Sequence, residues 1–97
     1  MNGLRFEWDP RKAADNLRNH GVSFDEAATV FTRPAVRVTY DYAHSAREDR
    51  WKIIGVSDEL RLLAVIYTRR GDAIRIISAR GATSRERREY AETQDQG

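Results

Sequence analysis

The chain has 97 residues, 40% of them apolar and 33% charged, with a net charge of +2, so residues 1–97 are read as one domain with a modest core and no room for a second. It has no cysteine and only two histidines, His20 and His44, which excludes a disulfide scaffold and a thiolate or simple histidine metal centre, and no metal and no cofactor are expected. No apolar run approaches the roughly 20 residues that cross a bilayer and no basic-then-apolar leader opens the chain, so no membrane partner and a cytoplasmic location are expected.

Arg5 to Trp8 reads as a short first strand. Asp9-Pro10 is a helix start, because Asp caps free amides and Pro fits the first helical position. That helix carries a thin apolar stripe of Ala13, Ala14 and Leu17 and ends at His20-Gly21, with Gly in the left-handed cap. Ser23 opens a second helix, with Glu26 at capping-box spacing and Val22 placed to staple onto Ala27. Phe24, Ala27, Ala28 and Phe31 share one face, and Pro34 closes this helical hairpin.

Val36, Val38 and Tyr40 alternate with Arg37 and Thr39 as a half-exposed strand. Asp41 to Asp49 is polar and loop-like. Trp51 to Ser57, Leu62 to Thr68 and Ala73 to Ala79 read as three further strands, joined by Asp58-Glu59 and by a Gly71-Asp72 hairpin signal. Thr83 and Glu86 repeat the capping-box spacing and open a last helix to about Glu92, leaving Thr93 to Gly97 as a frayed tail. Short connections between the later strands make them an antiparallel meander. Helices before and after that sheet predict an α+β fold.

Charge is unevenly placed. From Arg50 to Arg88 there are ten Lys or Arg against four Asp or Glu, and fifteen of the seventeen cations in the chain are arginine. Arginine grips phosphate through a planar fork and stays charged at any useful pH. Its density in the strands points to phosphate as the partner class. The alternative is a solvated, self-paired surface.

The loop Asp41 to Arg50 brings imidazole, carboxylate and guanidinium together just before a strand. RNA cleavage by its own 2′-hydroxyl needs a base, cations around phosphorus and an acid for the leaving oxygen. His44 or Glu48 would move protons, while Arg50 and Lys52, two apart on one strand face, would supply charge with Arg69 and Arg80. Alternatively, His44-Ser45 caps a turn and Glu48 pairs with Arg50 or Arg47. Arg61, Leu63, Val65, Tyr67 and Arg69 share one face by alternation, and Arg75 lies out of phase with Ile74, Ile76, Ser78 and Arg80. Arg61 and Arg75 with a Tyr67 ring between cations suit an RNA-binding groove, and nearby acids look too few to pair every arginine. Trp51 either stacks on a base or fills the core, the commoner fate of tryptophan.

Taken together and in order, these segments resemble the BrnT family of bacterial type II toxins. The resemblance rests on Phe6-Glu7-Trp8-Asp9-Pro10, Asn16, His20 to Phe24, Ala27, Phe31 and Pro34 in the opening. It continues through Asp41, His44-Ser45, Glu48 and Arg50, then Ile54-Gly55, Arg61-Leu62-Leu63, Tyr67-Thr68, Ile74 to Arg80, Glu86-Arg87 and Tyr90. The resemblance implies a RelE-like fold and an endoribonuclease that cuts RNA without a metal and arrests translation and growth. It further implies a BrnA-type antitoxin with a ribbon-helix-helix domain, two toxins on an antitoxin dimer, and contact with operator DNA only through that antitoxin. A different class of function remains open on the residues alone: a non-catalytic module that binds RNA or the antitoxin as a co-repressor of its own operon.

Overall fold

Local signals set the helix ends. Asp9 accepts a hydrogen bond from the Arg11 amide at 2.8 Å, Pro10 takes the first helical position, and helix α1 runs Pro10–His20. Gly21 ends it at φ 68°, a left-handed conformation that costs glycine little. Ser23 accepts from the Glu26 amide at 3.0 Å and starts α2, Phe24–Thr29, which tightens into a 3-10 turn at Val30–Thr32.

The computed structural model describes residues 3–95. Strands β1 (Arg5–Glu7), β2 (Val36–Tyr40), β3 (Trp51–Val56), β4 (Leu62–Arg70) and β5 (Ala73–Gly81) form one sheet, in the order β1-β5-β4-β3-β2. Strands β2 to β5 are the expected antiparallel meander, but β1 pairs parallel with β5, so the sheet is mixed. A third helix, α3, covers Ser84–Asp95. It extends three residues past the sequence-based end: Thr93 donates to the Glu89 carbonyl at 3.1 Å and accepts from Arg37 Nη1 at 3.0 Å. Gln96 and Gly97, the rest of the expected frayed tail, lie outside the described residues. Among those residues no helix is long and apolar enough to cross a membrane.

The face of the sheet under α1 and α2 carries the main core. Val22, Phe24, Ala27 and Val30 pack on Ile53, Leu63, Val65, Tyr67, Ile74, Ile76 and Ala79. Each large buried side chain here contributes about 1.5–3 kcal/mol, against roughly 0–1 kcal/mol for an exposed ion pair. The core therefore fixes the sheet, and the many charge pairs decide where side chains rest on it. On the opposite face α3 packs against β2 and β3, where Ile54 of β3 is fully buried.

Two nonlocal details shape that opposite face. A β-bulge interrupts the β4–β5 ladder, where Ile66 pairs with Ser78 but Tyr67 pairs with Ile76, leaving Ile77 extra. Strict alternation puts Arg80 on the face of Ile74 and Ile76. The bulge flips the phase, so Ile74, Ile76 and Ala79 enter the core while Arg75, Ser78 and Arg80 point away from it. Beyond the short β1, the free edge of β5 is met by buried Asn16 of α1. Its amide oxygen accepts from the Ala79 amide at 3.0 Å, and its nitrogen donates to the carbonyls of Ala79 at 2.8 Å and Val22 at 2.9 Å. Asn16 thus does for Ala79 what a neighbouring strand would do.

Candidate active site

The loop between β2 and β3 is closed by its own polar residues. The Asp41 amide donates to the Arg50 carbonyl at 2.8 Å. Ser45 Oγ donates to the Asp41 carbonyl at 2.6 Å and accepts from the Arg50 amide at 3.0 Å. Tyr40 and Thr68 hydroxyls hold Asp49 at 2.7 and 2.6 Å. Within this frame Tyr42–His44 forms a 3-10 turn. His44 Nδ1 lies 3.1 and 3.2 Å from the two carboxylate oxygens of Asp41. A proton on Nδ1 is favoured by that carboxylate, which leaves Nε2 as the exposed basic nitrogen. Glu48 lies behind Arg50, 3.5 Å from Arg50 Nη2 and 3.3 Å from Arg70 Nη2.

His44 stands at the rim of an open cleft of about 380 Å³ on the face away from α1 and α2. Its floor is the cross-strand row Thr39, Lys52 and Ile66, with Arg80 beside it and Tyr42 at the mouth. A smaller hollow of about 160 Å³ shares Asp41, His44 and Ile66 with it and adds Arg50 and Ser78. The two form one depression with three cations and an imidazole on its walls.

Glu86, on the first turn of α3, reaches into the cationic wall. It accepts from Lys52 Nζ at 2.7 Å and from Arg80 Nη1 and Nη2 at 2.7 and 3.0 Å. It also closes the expected capping box, accepting from the Thr83 amide at 2.9 Å while Thr83 Oγ1 accepts from its own amide at 3.1 Å. Its side chain is only 6% exposed. Hydrogen bonds from Arg80, then from Lys52, outweigh burial and hold its carboxyl well below the usual carboxylate range, and Glu86 in turn raises Arg80. One carboxylate thus orients two cations and leaves the trio with a net positive charge.

Of the candidate residues, His44, Arg50, Lys52 and Arg80 come together, with Glu48 bracing Arg50 from outside the cleft. The others lie elsewhere. Arg69 is exposed on the Tyr67 side of the sheet, by alternation and by its pairing with Ile74. Arg61, in the β3–β4 connection, is bound to Glu26 of α2 by Nη2 to Oε1 and by Nε to Oε2 at 2.9 Å. Arg75 pairs across strands with Glu7 at 2.8 Å. Tyr67 is 8% exposed, packed edge-on to Phe31 and stacked on Trp51 at 5.9 Å, so both rings belong to the core face. Of the strand arginines, Arg61 and Arg75 find carboxylates in distant segments, Glu26 and Glu7, and Arg80 finds Glu86 six residues on, while Arg69 forms no ion pair among the described residues. Sequence reasoning passed over Asp41 as the partner of His44 and Glu86 as the partner of Lys52 and Arg80. The i,i+3 spacing of Asp41 and His44 was the signal for the first; for the second, Glu86 stands six residues past Arg80 but 34 from Lys52.

Residues 8–86 match the family described as "Ribonuclease toxin, BrnT, of type II toxin-antitoxin system". No curated protein sequence matches the chain. Among solved structures, the chain is similar to the Brucella abortus ribonuclease toxin BrnT, determined at 1.1 Å, with a TM-score of 0.64 and 26% identity over 84% of this chain and 99% of that one. The matched span takes in the His44 loop, the cleft strands and the first turn of α3, and the chain belongs to the BrnT family of ribonuclease toxins of type II toxin–antitoxin systems.

Proposed function

We propose that this chain is a metal-independent endoribonuclease, grouped with the RelE-like toxins, that cleaves cytoplasmic RNA in the cleft beside β3 and so arrests translation and growth. The observation that carries the reading is the meeting of a carboxylate-oriented imidazole with Arg50, Lys52 and Arg80 in one depression. His44 Nε2 takes the proton of a ribose 2′-hydroxyl. The 2′ oxygen bonds phosphorus, the bond from phosphorus to the 5′ oxygen breaks, and that oxygen leaves with a proton from water in the open cleft. Lys52, Arg80 and Arg50 stabilise the charge that builds on the phosphoryl oxygens, a contribution commonly worth 10²–10³-fold for one well-placed donor. Asp41 fixes the imidazole tautomer and Glu48 steadies Arg50.

In this reading the partner is a BrnA-type antitoxin with a ribbon-helix-helix domain, two toxins ride on one antitoxin dimer, and operator DNA is reached only through it. The hold of Glu86 on Lys52 and Arg80 favours a second reading, a non-catalytic module whose partly neutralised cations serve binding alone. Digestion of RNA by the purified chain in excess chelator separates the two. The first reading predicts shorter products over many turnovers, ending in 2′,3′-cyclic phosphate and 5′-hydroxyl. Intact RNA supports the second, and 3′-hydroxyl ends or a requirement for added magnesium contradict the first.

A further inference from the structure

We propose that Tyr42 is the base-stacking residue of the cleft, holding a nucleobase next to the phosphate gripped by Lys52 and Arg80; this rests on the RNA-cleaving reading above. Tyr42 is 86% exposed, the highest value among the large apolar and aromatic side chains left at the described surface. It lines the cleft with His44, Lys52 and Arg80. The backbone beneath it is pinned by the Asp41–Arg50 and Ser45–Asp41 bonds, so little ordering is needed when a ligand arrives.

The ring is also buttressed from behind. Tyr42 meets Tyr40 edge-on at 4.6 Å, Tyr40 meets Trp51 at 5.8 Å, and Trp51 stacks on Tyr67 at 5.9 Å. This row of rings runs from buried Tyr67 through half-buried Trp51 and Tyr40 to the cleft mouth. Tyr42 is the terminal ring and presents its surface to solvent. A fixed aromatic surface beside phosphate-binding cations is how proteins hold unstacked bases of single-stranded RNA. Trp51 and Tyr67, the aromatics that the sequence offered for stacking, are consumed in supporting it.

The test is a cycle between protein and substrate. KM and kcat are measured on a short RNA for the native chain, Tyr42→Ala and Tyr42→Phe, with a base or an abasic residue at each nucleotide flanking the cut bond. Dissociation constants are measured in parallel for the same RNA made uncleavable with a 2′-O-methyl group at the cut site. Tyr42→Ala is expected to raise KM and the dissociation constant roughly 10-fold or more, with a smaller change in kcat, and Tyr42→Phe to restore most of the loss. An abasic residue at one flanking position should cost the native chain the same factor and cost Tyr42→Ala nothing further. Unchanged affinity in Tyr42→Ala, or penalties that simply multiply, overturns the stacking role while leaving cleavage standing. Loss of cleavage in the native chain, with uncleavable RNA still bound through Tyr42, sinks the nuclease reading alone. Failure of the native chain to cut or bind RNA overturns both.

Discussion

Removing the Glu86 carboxylate should weaken the fold and strengthen the grip on RNA at once. Glu86→Ala deletes a side chain that accepts from Lys52, twice from Arg80 and from the Thr83 amide. Charge-assisted hydrogen bonds to a buried carboxylate contribute about 1.5–3 kcal/mol and a helix cap about 1 kcal/mol. Lys52 and Arg80 are 26% and 39% exposed, so both rehydrate and the full penalty for stranding a buried charge does not apply. The net cost is about 2–4 kcal/mol, a fall in Tm of roughly 10–20 °C for a domain of this size. Glu86→Gln keeps the shape and should lose a large part of the same amount. With the anion gone, the cleft gains one unit of positive charge. Binding of uncleavable single-stranded RNA should tighten, and its log–log dependence on salt should steepen by about 0.7. Urea melts and salt titrations of the two variants read both effects. Native stability together with a native salt slope would mean that Glu86 does not hold these cations in solution, and the account of the cleft wall would fail.

Other outcomes follow from the ion pairs and packing that hold the fold. Arg61→Ala strips the counterion from Glu26, whose side chain is 3% exposed, and should lower the urea midpoint while the folded fraction cuts RNA at the native rate. A large fall in that rate would return Arg61 to the RNA-binding set. Gly55→Ala places a methyl group 2.9 Å from both Val30 Cγ1 and Val36 Cγ1; overpacking there should cost about 1–3 kcal/mol, and an unchanged urea midpoint would contradict it. Acid should unfold the protein through Glu26 and Glu86. Arg61 lowers the first and Arg80 the second, each from an ordinary value of 4.5. Because both folded values are depressed, their stabilisation is complete above about pH 4.5 and is lost as pH falls toward the folded values. A urea midpoint that stays level from pH 5 to pH 3 would refute that linkage.

The elements were legible where their causes are local. Asp9-Pro10, Ser23 and Gly21 act within a turn, so α1 and α2 could be read from a few letters. The meander followed from alternation and short connections. The pairing of β1 with β5 was not legible, because it joins residues some 68 positions apart, as Glu7 and Arg75 are. Nor was the bulge at Ile77, which alternation alone cannot place and which decides the face Arg80 occupies. In the site, His44, Arg50 and Lys52 were readable because the loop and β3 carry them within nine residues. Arg61, Arg75, Trp51 and Tyr67 were drawn toward RNA by residue type and strand alternation, as was Arg69, which stays exposed on the other face of the sheet. Register, helix docking and distant carboxylates give the other four their structural partners. Tyr42 drew no notice, since an aromatic in a polar loop gives no sign of whether it is covered.

The central claim is that one face of the sheet, the face of Lys52 and Arg80, holds the phosphate that is cut. Single-turnover RNA cleavage by folded Lys52→Ala and Arg69→Ala, compared with the native chain, tests it most directly. The account predicts a loss of about 100-fold or more for Lys52→Ala and a rate within about twofold of native for Arg69→Ala. A native rate in Lys52→Ala, or an equal collapse in Arg69→Ala, would contradict it.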